Sequence, residues 1–195
     1  MADALSDLFS EIRACTHCSD LPRGPRPVVH GSESARLCIV GQAPGVRVHG
    51  SGIPWNDPSG KRLRGWLHMD DETFYDEGRI AIVPIGFCYP GTMENGGDFP
   101  PRQECAPKWH PPLFDALKNV ELTVLVGTYA QAFYLGRERK KNMTETVRAF
   151  REYLPRFLPT PHPSWRTTGW QRKNPWFDND FLPELRARVH ALVGS

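Results

Sequence analysis

The chain has 195 residues and 39% are hydrophobic, so it is long enough to bury a core and too apolar to be mainly disordered. Its 19 prolines and 17 glycines predict long structured loops. The formal net charge of +2 is too small to indicate polyanion binding by itself.

No segment approaches the roughly 20 apolar residues that a membrane-spanning helix requires. The first residues also lack the basic and apolar regions of a signal peptide. We therefore expect a cytoplasmic protein without a membrane partner. Since we find no repeat, linker or composition shift, we expect a single domain over residues 1–195.

Apolar runs predict four buried strands, at residues 37–40, 80–83, 122–126 and, more weakly, 157–159. Helices are predicted at residues 5–12, 59–68, 108–120, 128–135 and 144–153. A last helix is predicted to be capped near Asp180, with Pro183 in its first turn. Strands that alternate with helices predict an α/β fold with three layers, α/β/α, around a central four-stranded parallel sheet.

Site-like segments follow three of these strands. Segments 86–91 and 162–166 follow the second and fourth strands, and the segment after the first strand consists of Gly41, Gln42, Ala43, Pro44 and Gly45. Ligands of open α/β sheets bind at the carboxyl ends of the strands. The three loops therefore predict a shared pocket, and glycines in the first loop allow its backbone to approach a ligand closely.

Residues 153–177 contain no acid, and basic residues alternate there with aromatic residues. One interpretation is a nucleic-acid surface, because aromatic rings stack on bases and guanidinium groups hold phosphates. The other is a Trp-rich loop that packs on the core and leaves its arginines in solvent.

The motif Gly-Gln-Ala-Pro-Gly, an aromatic residue after Pro54 and the motif His-Pro-Ser at 162–164 together resemble the uracil-DNA glycosylase superfamily. The cysteine arrangement is most similar to its iron-sulfur branch, of the family 4 type. The resemblance extends from Cys15 to the last helix. It implies a monomeric DNA-repair glycosylase that hydrolyses the N-glycosidic bond of uracil, or of a related deaminated base, flipped out of DNA.

Five cysteines occur in the chain, and the resemblance implies that four of them, Cys15, Cys18, Cys88 and Cys105, hold a 4Fe-4S cluster. Four thiolates also suit tetrahedral zinc, and free cysteines are often simply buried. Cys38 lies within a predicted strand and is assigned to the core.

The resemblance implies that His162 stabilises negative charge on the departing base, that residues 41–45 line the pocket and that Trp55 stacks on the base. Many members carry an acid in the first loop, where this chain has Ala43. Asp57 is our first candidate for activating water and His49 the second. Asp57 has an equally good alternative interpretation as a turn or helix cap, and Trp55 as ordinary core.

Members of the family usually read the base with an Asn a few residues before the third cysteine, where this chain has Pro-Ile-Gly-Phe at 84–87, so Asn56 is our candidate for that role. The resemblance further implies that Trp165 and Arg166, after the last strand, form a DNA wedge, and Ser164 beside them is a further candidate for binding DNA. Two other interpretations stay open. They are a nucleic-acid-binding relative with weak or no catalysis, and a redox-responsive iron-sulfur or zinc protein.

Overall fold

A computed structural model describes residues 4–94 and 96–194. Its strands are β1 (Leu37–Val40), β2 (Ile80–Ile82), β3 (Leu122–Val126) and β4 (Phe157–Thr160). All are parallel and lie in the order β2-β1-β3-β4, which confirms the predicted four-stranded sheet. Residues 1–3, 95 and 195, which the single-domain prediction includes, lie outside the described residues.

Helices cover both faces of this sheet. They are α1 (Ala4–Arg13), α2 (Val46–Ser51), α3 (Pro58–Leu67), α4 (Asp71–Phe74), α5 (Cys105–Ala116), α6 (Thr128–Leu135), α7 (Met143–Arg148), α8 (Thr167–Lys173) and α9 (Leu182–Val193). The sequence pattern did not reveal α2, α4 and α8, because segments this short show no helical periodicity of apolar residues. Among the described residues, no helix is both long and apolar enough to cross a membrane.

Some predicted helix boundaries were wrong. The segment predicted as one helix at 144–153 is α7 followed by a 3-10 turn at Phe150–Tyr153. Asp180 does not cap the last helix, because it lies inside a π-helical turn, Phe177–Phe181, whose aromatic side chains are buried in the core. Pro183 does lie in the first turn of α9, as predicted.

Alternate residues of each strand face opposite helical layers. Leu37 and Ile39 of β1 pack in the cluster that includes α3 and α9, whereas Cys38 and Val40 pack in the cluster that includes α1 and α5. Cys38 is fully buried, which confirms its assignment to the core. Because β1 pairs with β2 on one side and β3 on the other, the chain reverses its direction of winding at β1, where α/β sheets bind ligands.

Candidate active site

A pocket of about 110 Å³ lies at the carboxyl end of β1. Of the predicted site residues, Gly41, Gln42, Ala43, Pro44, Gly45, Trp55, Asp57 and His162 line it. The backbone N–H of Ile85 donates to the oxygen of Gly41 at 2.9 Å, and that of Gly86 to the oxygen of Gln42 at 2.9 Å. These two hydrogen bonds join the loops after β1 and β2. The loop after β2 therefore holds the pocket-lining loop after β1 in place.

Trp55 adopts a backbone φ of 56°, in the left-handed region that a bulky residue rarely occupies. Two glycines make room for it. A Cβ on Gly41 would lie 2.7 Å from Cζ2 of the Trp55 ring, and one on Gly60 would lie 1.7 Å from the Trp55 backbone oxygen. Strained conformations of this kind are concentrated at functional sites. The half-buried indole is therefore held against the pocket by the local backbone as well as by core packing.

Substitution of Gly60 by Ala is expected to lower the free energy of unfolding by about 3 kcal/mol, the upper end of the usual cost of overpacking. The added methyl group meets backbone rather than a mobile side chain, so Trp55 has to shift. Chemical denaturation measures the stability, and Trp fluorescence reports the shift. Gly65→Ala, on the same helix with open space around its Cβ position, is the matched control. Equal stabilities of the two variants would contradict this account.

Asp57 caps a helix and also lines the pocket. Its Oδ1 accepts a hydrogen bond from the backbone N–H of Gly60 at 2.7 Å, which caps the N-terminus of α3. The same carboxylate lines the pocket. Since a cap uses one oxygen, the second remains available for a ligand or a water molecule.

His162 lines the pocket from the loop after β4. Its ring centroid is 5.8 Å from that of Trp55, and none of the described residues forms a hydrogen bond with its ring nitrogens. Burial lowers the pKa of His162, and the Asp57 carboxylate opposes this shift only in part. The imidazole is therefore neutral at neutral pH, with one N–H that can donate to a ligand.

Two predicted site residues lie elsewhere. His49 is buried on α2 beside Tyr89 and does not line the pocket, and its Nδ1 has no hydrogen-bond partner among the described residues. Asn56 is exposed and also lies outside the pocket lining. Its neighbours Trp55 and Asp57 do face the pocket, because the chain turns sharply at this point.

Arg62 holds the loop after β4 in place, and no sequence pattern predicts this contact. Its guanidinium donates to the backbone oxygen of Ser164 at 3.0 Å, to Oγ1 of Thr168 at 2.8 Å and to Oε1 of Gln171 at 2.8 Å. The loop that carries His162 is thereby held to α3, the helix that Asp57 caps. A lone Arg on a helix has no sequence signal for such a role.

Trp165 is the most exposed large hydrophobic side chain among the described residues, with 78% of its surface accessible. The guanidinium of Arg166 lies over its ring at 5.5 Å. The other aromatic side chains of the basic segment behave differently. Trp170, Trp176 and Phe177 contact one another and pack on the core, so core packing is the correct interpretation for them.

If Trp165 is the DNA wedge that the sequence resemblance implies, replacing it by Ala will weaken binding to duplex DNA about tenfold, within the range for one stacking aromatic side chain. Stability should be unchanged, because the side chain contacts mainly solvent. Fluorescence anisotropy with a labelled duplex measures the affinity. Phe133→Ala, which removes an aromatic ring of 40% exposure from α6, serves as the control. Equal affinity of Trp165→Ala and the wild type would exclude a wedge at this position.

Asp98 also lines the pocket, and no sequence pattern predicts this. It lies in the loop between β2 and α5, where its carboxylate accepts a hydrogen bond from Oγ1 of Thr92 at 3.2 Å. Partial burial and the neighbouring charge of Asp57 raise the pKa of Asp98. Nothing in the local sequence connects this loop with β1, because the approach depends on tertiary folding.

A second cavity contains the four cysteines of the proposed cluster. Cys15, Cys18, Cys88 and Cys105 are half-buried free thiols that line it together with Arg102 and apolar side chains. The backbone N–H of Phe87 donates to Sγ of Cys105 at 3.4 Å. Within residues 4–94 and 96–194, no group of three or more His, Cys, Asp or Glu side chains is arranged to hold a metal ion.

Comparison with known proteins places the chain in a family. The crystal structure of wild-type SMUG2 from Pedobacter heparinus is similar to this chain, with 14% sequence identity and a TM-score of 0.40. The similarity covers 79% of this chain and 76% of the SMUG2 chain. So remote a structural likeness does not bear on activity. The model of the uracil DNA glycosylase superfamily matches residues 28–186, from before β1 into α9. The match covers most of the 195 residues, including every strand and the whole pocket, and the chain therefore belongs to the uracil DNA glycosylase superfamily.

Proposed function

We propose that this protein is a DNA glycosylase that hydrolyses the N-glycosidic bond of uracil, or of a related deaminated base, flipped out of DNA. The observation that carries the proposal is the pocket itself. It combines an imidazole without a hydrogen-bond partner among the described residues, an aromatic ring 5.8 Å away and a carboxylate beside them. These are the groups that the departure of a base anion from a sugar requires.

In the proposed mechanism the flipped base enters the pocket and stacks on Trp55. The bond between C1′ and the base nitrogen breaks, and its electron pair stays on the base. The neutral His162 donates its N–H to a carbonyl oxygen of the base, where the negative charge develops. Asp57 orients a water molecule and accepts its proton as the water oxygen bonds to C1′. That proton returns through solvent to the base, so that the free base and an abasic site are the products.

The test is cleavage of a set of duplex oligonucleotides that carry uracil, hypoxanthine or xanthine at one position. Purified protein is incubated with each duplex, and alkali then breaks the strand at any abasic site. Strand scission with at least one of these bases is expected. The absence of scission with every base, while DNA binding is retained, would refute the enzymatic proposal and favour a binding protein.

We further propose that a 4Fe-4S cluster binds the four thiols, as in the iron-sulfur branch of the superfamily. What supports the proposal is the donor chemistry: all four thiols line one cavity, and an N–H group already points at one of the sulfurs. As placed, the thiols do not form a metal-binding group, so they must move closer together when the cluster binds. Burial raises the pKa of Cys88 to about 11 and that of Cys105 to about 12, but metal binding deprotonates such thiols. The bound cluster supplies a cross-link from the end of α1 to the loop after β2 and the start of α5.

Anaerobically purified protein is expected to be brown and to contain about four irons and four labile sulfides per chain, the content of one [4Fe–4S] cluster. Cys88→Ser should lose most of this iron, whereas Cys38→Ala, which removes the thiol buried in β1, should retain it. Iron and zinc are measured by elemental analysis. One equivalent of zinc in place of iron would mean that the four thiols form a tetrahedral zinc site and not an iron-sulfur cluster. Protein without either metal would refute both kinds of site.

A further inference from the structure

Two carboxylates of the pocket come together over one glycine. If Gly45 carried a Cβ, that atom would lie 3.4 Å from Oδ2 of Asp98 and 4.0 Å from Oδ2 of Asp57. In each carboxylate the other oxygen is already used. Oδ1 of Asp57 accepts from Gly60, and Oδ1 of Asp98 accepts from Thr92. Both Oδ2 atoms therefore remain available above Gly45.

The loop that carries Asp98 is held in place by its own hydrogen bonds. Thr92 and Asp98 form an antiparallel bridge, and the backbone N–H of Phe99 donates to the oxygen of Gly91 at 2.9 Å. The Thr92 hydroxyl in turn lies 2.6 Å from the hydroxyl of Tyr89. The orientation of the Asp98 carboxylate is thus determined before any ligand enters.

Asp98 lies at the mouth of the pocket, where its side chain is exposed, whereas Ile82 and Pro84 form a buried inner wall. A flipped base enters such a pocket first, and its sugar stays at the mouth because it remains attached to the DNA backbone. Asp98 is therefore on the side of the sugar and not on the side of the base edge. This position favours a role at C1′ over a role in choosing the base.

On the basis of the proposed glycosylase function, we infer that Asp98 is a second catalytic carboxylate, which holds the attacking water together with Asp57. The water donates one hydrogen to each Oδ2, and its oxygen faces C1′. As the base departs with the electron pair of the broken bond, the water oxygen bonds to C1′. One proton of the water passes to the Asp57 carboxylate, as in the mechanism above, and returns through solvent to the base. The negative charge of the pair also stabilises the developing positive charge of the sugar.

The Asp98 carboxylate at the mouth of the pocket would repel the phosphates of bound DNA. Its effect on DNA binding is therefore opposite in sign to its effect on catalysis, and the two can be measured separately. Removing the charge with Asp98→Asn should tighten DNA binding about twofold, as loss of one repulsive surface charge does. The same variant should slow single-turnover cleavage roughly 100-fold, equally for every base that the wild type cleaves. A purely structural role would not produce opposite changes in affinity and rate.

The experiment compares Asp98→Asn with Glu94→Gln, which removes the charge of an exposed acid in the same loop. Binding is measured with a duplex that carries a tetrahydrofuran abasic-site analogue. Glu94→Gln should keep the wild-type rate. The double variant Asp57→Asn/Asp98→Asn should be little slower than the slower single variant, because the two residues act as a unit.

Several results would overturn the inference. If Asp98→Asn cleaves within twofold of the wild-type rate, Asp98 takes no part in the chemistry. If Glu94→Gln loses as much rate as Asp98→Asn, the rate loss comes from the change in overall charge and not from the position of Asp98. A rate loss confined to one base makes Asp98 a base-recognition residue instead. Failure of the glycosylase proposal has a different signature, since the wild type itself would then cleave none of the bases.

Discussion

Replacing His162 by Ala is expected to reduce the single-turnover rate of base release by roughly 10²–10³-fold, the usual cost of losing one donor to a developing oxyanion. The imidazole contributes an N–H that no other described residue uses, and it lies beside the ring on which the base would stack. The loss should appear in the rate and not in DNA affinity, since the interaction strengthens only as charge develops on the base. Quenched-flow or manual sampling at saturating protein measures it.

The pH dependence gives a second readout of the same side chain. Because burial lowers the pKa of His162, the neutral form persists to a lower pH than the ordinary value of about 6.5. Below its pKa, His162 is protonated and presents a charged imidazolium to the base, so the rate of base release should change with pH in that range. Glutamine does not titrate there. His162→Gln keeps an N–H donor and should therefore recover part of the rate, but its rate should not change with pH in that range. A His162→Ala rate within tenfold of the wild type would remove His162 from the mechanism.

Substitution of Asp57 by Asn separates its two roles. Asn caps a helix about as well as Asp, so the free energy of unfolding should change by less than about 0.5 kcal/mol. An amide cannot accept the proton of water, so cleavage should slow roughly 10²–10³-fold, within the range for a positioned base. Asp57→Ala should lose the same rate and also about 1 kcal/mol of stability, because the Gly60 N–H loses its partner.

Asp70→Asn is the matched control for this experiment. Asp70 caps α4 by accepting from the backbone N–H of Thr73 at 2.8 Å, and it does not line the pocket. It should retain both stability and rate, so a shared loss in the two Asp→Asn variants would indicate a capping effect. If Asp57→Asn cleaves at the wild-type rate, the water must be activated by another group.

The strands and the pocket loops were predictable because their signals are local. A run of apolar residues such as Leu37–Val40 indicates a strand buried on both faces, and the loop that follows it lies at the ligand-binding edge of the sheet. Cys38 was placed in the core for the same reason. The prediction of one helix at 144–153 was wrong, because its apolar pattern does not reveal that the α-helix ends at Arg148 and that a 3-10 turn with buried Phe150 and Tyr153 follows.

The site shows the same division between local and long-range information. The sequence by itself determined the parallel α/β sheet, the loop of residues 41–45 and the candidates His162, Trp55 and Asp57, since each follows from a short pattern or a motif. Only the tertiary structure decided that Asp57 both caps α3 and faces the pocket, that His49 and Asn56 do not line it, and that Asp98 does. The physical reason is that a loop's conformation depends on contacts between residues far apart in the chain, such as Asp98 beside Gly45, and those contacts form only when the sheet assembles.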